Sequence, residues 1–184
     1  MNHRGTQKLE TERLILRRFC KNDAEDCFNN YAADEELYRF ISDTAKTRDY
    51  IDNEWLASAD EAYAEDDAYY WAIVEKHENK VIGEIFVDDY GTSNCWCELD
   101  WKIGRAYWNK GYATEAAKEV IAYLFNTVGF HRIQAKCTAE NIGSERVMQK
   151  LGMSREGVLR AFFHGKDGCY HDVVMYSLLQ HEVL

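Results

Sequence analysis

The strongest periodicity in the chain lies between residues 113 and 124. Ala113, Ala116, Ala117, Val120, Ile121 and Leu124 recur at i, i+3, i+4, i+7, i+8 and i+11, the spacing that gathers apolar side chains on one stripe of a helix. Gly129 follows as a stop signal. Thr47 to Tyr63 predicts a second long helix, with Ile51, Trp55, Ala59, Ala62 and Tyr63 as its apolar stripe. "ENIGSERVMQKLGM" predicts a short helix capped by Asn141 and ended by Gly152, and "KNDAEDCFNNYAAD" another, capped by Asn22 or Asp23. Elsewhere the period drops towards two. "RLILRRF" (Arg13–Phe19), "YYWAIVEK", "KVIGEIFVDD", "CWCELDWKI" (Cys95–Ile103) and "RIQAKCT" (Arg132–Thr138) read as strands, the second and third joined as a hairpin through "HEN". Two more strands are expected in "SREGVLRAFFHGKDGCYHDVVMYSLL", turning at "GKDG". The expectation is an α/β (α+β) fold with about seven strands, flanked by helices.

Composition narrows the class. A chain of 184 residues, 46% hydrophobic and 29% charged, suits one globular domain spanning residues 1–184. No repeat, linker or low-complexity segment divides it. No apolar run approaches the roughly 20 residues of a membrane helix, and "MNHRGTQKLETERL" carries neither a signal core nor an acyl-anchor motif. A cytoplasmic location and no membrane partner are expected. The chain has no proline, so its turns rely on Gly, Asn, Asp and Ser. In a reducing compartment its six cysteines are free thiols. Cys95 and Cys97, one residue apart on a predicted strand, would share a face, but two close pairs at wider spacing are the usual zinc signature, so no metal is expected.

Charge is unevenly placed. The net charge is −10, and −9 of it lies in the stretch Asp34 to Asp67. Nucleic acid is therefore not an expected partner. The acidic stretch is either a solvated helix face or a field that attracts cationic substrates.

Candidate chemistry sits where a polar loop meets the strongest helix. Asn109, Lys110, Gly111, Tyr112 and Ala113 stand at its mouth. The first turn of a helix has amides without internal partners, and the macrodipole adds positive potential, so a phosphate is a natural guest. Gly111 permits close approach and positive φ, and Lys110 can add a full charge. A plain N-terminal turn remains the alternative, because neither a P-loop nor a dinucleotide fingerprint is present.

"ELDWKIGRAYWNKGYATEAAKEVIAYLF" followed by "NIGSERVMQKLGM" resembles the GNAT superfamily of acetyl-CoA-dependent N-acetyltransferases. Within it, "LETERLILRRFCKNDAED" and "GCYHDVVMYSLLQHE" are similar to the opening and closing strands of the Rim-type ribosomal-protein alanine N-terminal acetyltransferases, the RimJ/RimL-like branch. The likeness spans nearly the whole chain. It implies the GNAT fold, with a central mixed, mostly antiparallel sheet, and acetyl-CoA as cosubstrate. The family's pyrophosphate loop falls on Trp108, Asn109, Lys110, Gly111, Tyr112, Ala113 and Thr114, with Trp108 replacing the usual Gln or Arg. The resemblance also implies that the pantetheine arm lies beside the strand Cys95–Ile103, bonded by the backbone of Trp101, Lys102 and Ile103, and that Asn141 contacts the same arm.

Acetyl transfer to an amine needs a base for the ammonium, donors for the oxyanion and a proton for the departing thiolate. By the family's motif, Glu98 is the expected base and Ser144 the acid near the sulfur. Asp100, on the same strand face by alternation, is the fallback base. Met148 stands where many GNAT members have a tyrosine and cannot donate. His131, His164 and His171 have no evident partners in the sequence. Tyr38, Trp55, Tyr63, Tyr69, Tyr70 and Trp71 lie in the segments of the acceptor side. The expected partners are acetyl-CoA and an amine acceptor, either a protein N-terminus or a small amine such as an antibiotic, polyamine or amino acid. A homodimer and a non-catalytic acetyl-CoA-binding module are the remaining readings.

Overall fold

A computed structural model describes residues 1–183. Eight strands form one sheet: β1 (Leu9–Glu10), β2 (Leu14–Arg17), β3 (Tyr70–Glu75), β4 (Lys80–Gly91), β5 (Trp96–Ile103), β6 (Arg132–Thr138), β7 (Ser154–His164) and β8 (Tyr170–Leu179). Their order is β1-β2-β3-β4-β5-β6-β8-β7. All neighbours are antiparallel except β5 and β6. The eighth strand, β1, pairs only Leu9 with Leu16 and Glu10 with Ile15; two residues are too few to show a period.

Helices cover both faces. On one face lie α4 (Tyr112–Tyr123) and α5 (Ile142–Lys150). The predicted stripe of α4 is buried at Ala116, Ala117, Val120, Ile121 and Leu124, in one core with Cys97, Leu99, Ile133 and Met148. Each fully buried Val, Ile or Leu contributes about 1.5–3 kcal/mol. Gly129 ends the helical stretch at φ 87°. On the other face lie α1 (Ala24–Cys27), α2 (Arg48–Tyr50) and α3 (Leu56–Ala62), linked by wider helical turns at Phe28–Ala32 and Ile51–Trp55. Their core gathers Cys27, Tyr31, Ile51, Leu56 and Ala59 over Ala72, Val74 and Val81.

Two local expectations are corrected. The helical turn before α1 begins at Lys21, and Asp23 is used backwards: its carboxylate accepts from the Cys20 N–H at 2.8 Å and takes Arg17 in two contacts of 2.7 and 2.8 Å. Neither Asn22 nor Asp23 caps by its side chain. Cys95 lies before β5 in a left-handed conformation (φ 50°), while Cys97 is buried in the core. The two thiols therefore do not share a strand face.

Two features of the sheet shape its centre. The β5–β6 pairing lasts three residues and ends at Glu98 opposite Gln134. Beyond it the strands separate, and Leu99 to Ile103 keep only β4 as a partner. At the same level, β4 skips a residue: Val87 faces Leu99, Asp89 faces Glu98, and Asp88 bulges between them. A bulge increases local twist and bends its strand, which fits a sheet that opens there.

Candidate active site

The loop before α4 is built around two left-handed residues, Asn109 (φ 60°) and Gly111 (φ 83°). Gly111 is the N-cap and makes no side-chain cap bond. Among the described residues, no hydrogen bond uses the amides of the six residues from Asn109 to Thr114; the first bonded amide is Glu115, to the Gly111 carbonyl at 3.0 Å. A Cβ on Gly111 would meet only Arg13 Nη2, at 3.5 Å, so the space beside Gly111 is open. Arg13 braces the loop from behind. It donates to the Lys110 carbonyl at 3.0 Å, stacks 4.5 Å over Tyr112 and pairs with Glu115 at 2.6 Å. A shallow cavity of about 380 Å³ beside Gly111 is lined by Thr114, Lys118 and Lys150 with Glu12 and Glu115. Trp108 is 44% exposed, and its indole N–H donates to the Ile103 carbonyl at 2.6 Å. Its side chain thus ties the loop to the end of β5.

The separated strands make the second part of the site. Trp101 to Ile103 lie on the unpaired edge of β5. On the α5 side, Asn141 caps that helix by accepting from the Ser144 N–H at 3.1 Å. Ser144 is half-buried, and the nearby Cys137 thiol donates to the Asn141 carbonyl at 3.7 Å. Burial pushes that thiol up to about 12, partly offset by the neighbouring Ser144 hydroxyl. The Thr138 hydroxyl at the end of β6 is buried and has no partner among the described residues, and a buried polar atom is seldom left unpaired.

The opposite face at the fork carries carboxylates. Asp88, Glu98 and Asp100 each bring an oxygen within 4.8 Å of the other two. Glu98 is 4% exposed and fully engaged: Gln134 donates to one oxygen at 3.0 Å, and Lys136 pairs with the other. Asp100 is half-buried. Burial, then the Glu98 and Asp88 charges, push its carboxyl up to about 7 against the pull of Lys136 and Lys102.

Next to this group is a cavity of about 400 Å³, bounded by Tyr38, Trp55, Tyr70, Phe86 and Lys102. Phe86 stands directly opposite Asp100 in register. The floor is Glu84, 2% exposed, which accepts from Tyr31 at 3.1 Å, Tyr70 at 2.7 Å and Lys102 at 2.7 Å. Burial pulls the Lys102 ammonium down, but the Glu84 carboxylate outweighs it and raises its pKa. Asp43 bridges Lys46 and Lys102. The cavity is therefore largely aromatic: Glu84, Asp43, Lys46 and Lys102 are paired within its wall, and the lining Asp67 carboxylate accepts from the Tyr90 hydroxyl.

Of the aromatics expected on the acceptor side, Tyr38, Trp55, Tyr69 and Tyr70 line the cavity. Tyr63 belongs to the core under α3 and Trp71 to the core under α4. Of the twelve acidic residues from Asp34 to Asp67, ten are exposed; Asp34 and Asp43 are half-buried and paired, Asp34 with Arg105. His171 does have partners, Asp167 at 3.1 Å and Glu140 at 3.2 Å. Lys136, Gln134 and Asp88 were not expected at the site. The alternation in "RIQAKCT" puts Gln134 and Lys136 on one polar face of β6, but only the register brings that face to Glu98.

Comparison with known proteins agrees with this architecture. Residues 13–154 match the family described as Acetyltransferase (GNAT) domain. The chain is 32% identical over 176 residues to the uncharacterized N-acetyltransferase p20 of Bacillus licheniformis, covering 96% of this chain and 98% of that one. A crystal structure of a GNAT-family acetyltransferase from Bacillus anthracis superposes with a TM-score of 0.83 at 28% identity, covering 96% of this chain and all of that one. The ribosomal protein uS5-alanine N-acetyltransferase of Escherichia coli is more distant, 26% identical over 93% of this chain and 90% of its own length. The chain belongs to the GNAT family and is an N-acetyltransferase. Members of that family use acetyl-CoA, and the open amides at 109–114, the unpaired edge of β5 and the orphan Thr138 hydroxyl are groups such a cosubstrate could satisfy.

Proposed function

We propose that this enzyme transfers the acetyl group of acetyl-CoA to the α-amine of a protein N-terminus. The supporting observation is the placement of the fork carboxylates: Asp100 faces Phe86 across the sheet, beside an aromatic cavity of about 400 Å³. An α-amine has a pKa near 8 and a lysine near 10.4. At pH 7 freeing the lysine amine costs roughly 4.6 kcal/mol, against about 1 kcal/mol for the α-amine. One carboxylate suffices for the second case. The 26% identity to an enzyme named ribosomal protein uS5-alanine N-acetyltransferase points the same way.

In this reading the amides of Asn109 to Thr114 bind the pyrophosphate, with Gly111 leaving room for it. The edge of β5 at Trp101 to Ile103 and the helix start at Asn141 hold the pantetheine arm. Ser144 supplies or relays a proton to the departing sulfur. The thioester supplies the acyl group; the protein orients it, and a carboxylate on β5 takes the ammonium proton. The second reading, a small-molecule amine acceptor, is favoured by the cavity's own size, which suits a single small ligand as well as one N-terminal side chain. Incubation with acetyl-CoA, a mixture of peptides and a panel of small amines, followed by mass spectrometry, separates them. Acetyl on peptide N-termini supports the proposal. Acetyl only on lysine side chains, or only on a small amine, overturns it.

A further inference from the structure

Two carboxylates on β5 share a face, yet their surroundings differ. Glu98 is the last β5 residue paired to β6, and both of its oxygens are occupied, one by Gln134 and one by the Lys136 ammonium. Asp100 is the next side chain on that face, the first one past the point where the strands part. No hydrogen bond to its carboxylate is present among the described residues. It lies beside the bulged Asp88 and across from Phe86 at the acceptor cavity.

We propose that Asp100 is the catalytic base of this enzyme, and that Glu98, locked by Lys136 and Gln134, is a positioning residue that keeps Asp100 receptive to a proton. The proposal rests on the amine-acetylation reading above. Both oxygens of Glu98 are already engaged by Gln134 and Lys136, whereas an unpaired carboxylate beside two others is the natural proton acceptor. The charged groups facing Asp100 are Asp88 from β4, Glu98 and Lys102 from β5, and Lys136 from β6; the neutral Cys137 thiol on β6 also senses its charge. The two neighbouring acids favour the protonated form and the two lysines oppose it.

The proton path balances. The ammonium N–H bond breaks and an O–H bond forms on Asp100. The freed lone pair forms the amide C–N bond as the thioester C–S bond breaks. The second nitrogen proton ends on the sulfur, giving the free thiol. Asp100 then returns its proton to solvent and is ready for the next ammonium. The net products are amide, thiol and one released proton.

The experiment compares Asp100→Asn and Glu98→Gln in the full chain, on whichever amine the wild type acetylates. Coenzyme A titration calorimetry is the check that each variant remains folded and competent. Asp100→Asn is expected to lose about 10²–10⁴ in kcat at pH 7 and to regain rate as pH rises and more amine arrives neutral. Glu98→Gln is expected to lose less than tenfold while the acid limb of kcat/KM moves to lower pH, because a negative neighbour of Asp100 is gone and Lys136 is left uncompensated. A merely structural glutamate would not move that limb. A readout independent of turnover is carboxyl carbon NMR of the coenzyme-free protein: one aspartate should titrate near neutrality and vanish in Asp100→Asn. The proposal is overturned if Asp100→Asn keeps wild-type kcat, if Glu98→Gln shows the larger loss, or if Asp100 titrates as an ordinary aspartate. Wild-type protein that binds coenzyme A but acetylates no amine overturns the amine reading, and the base assignment with it.

Discussion

The loop before α4 and the cavity beneath Tyr38 answer polar groups in opposite ways. In the loop, the amides of residues 109–114 have no hydrogen-bond partner among the described residues, and the space beside Gly111 is open. In the cavity, each charged oxygen of Glu84 and Asp43 is already taken by lysine, tyrosine or backbone. The first arrangement is incomplete until a ligand arrives. The second pairs its buried charges internally and leaves Asp67 as a lining carboxylate without a lysine or arginine partner among the described residues, so shape and aromatic contact would carry most of the acceptor's selection. The difference also shows that an acidic composition need not make an acidic pocket: the charges of the Asp34–Asp67 stretch lie mostly in solvent or in pairs.

The largest test of this contrast is in the cavity wall. Lys102→Met leaves Glu84 buried with only two phenols, and removing one partner of a buried pair costs about 3–5 kcal/mol. Chemical denaturation should show that loss, and Lys102→Met with Glu84→Gln should recover much of it. Equal stability of the single and double variants would mean the wall is not held by the pair.

The next effect is at Asp100. Its folded pKa lies above the ordinary value of 3.8, at about 7. Between those values the folded state holds a proton that the unfolded chain has lost, so its contribution to stability falls as pH rises from about 4 to about 7. Asp100→Asn escapes that loss. Allowing for its partial exposure, the variant should be more stable than wild type by about 2 kcal/mol at pH 8, and by little at pH 4. Thermal melts at the two pH values read this directly. A variant that gains stability while losing turnover would fit a group strained for function.

Third, Gly111→Val strains a residue at φ 83° and covers the open amides. Coenzyme A affinity should drop at least tenfold, about 1.4 kcal/mol. Unchanged affinity in calorimetry, with the fold intact, would remove the loop from the phosphate site.

The smallest effect is on the surface. Asp60, Glu61, Asp66 and Asp67 are exposed. Replacing them with amides should change stability by less than about 0.5 kcal/mol. If the acidic stretch steers a cationic acceptor, the fall of kcat/KM with salt should flatten in this variant. An unaltered slope would leave these side chains as a solvated face.

Periodicity and turn chemistry determined most of the elements by themselves. The stripe of α4, the strand Arg132–Thr138, the Asn141 cap, the Gly129 stop and the turn at Gly165–Gly168 are local signals, and local backbone preferences are written residue by residue. The loop at 109–114 was legible for the same reason, since a glycine before a strong helix is a short-range pattern. What the tertiary structure alone decided is which side chains meet. Glu98 and Asp100 look alike in the sequence, two acids at period two on one strand. Only the pairing of β5 with β6, which stops at Gln134, brings Lys136 to one and leaves the other past the fork. Asp88 joins them through a bulge, and Lys102 reaches Glu84 from the neighbouring strand. These are contacts between residues 10 to 38 positions apart; register and strand order set them, and a one-residue slip would turn every one of these side chains to the other face.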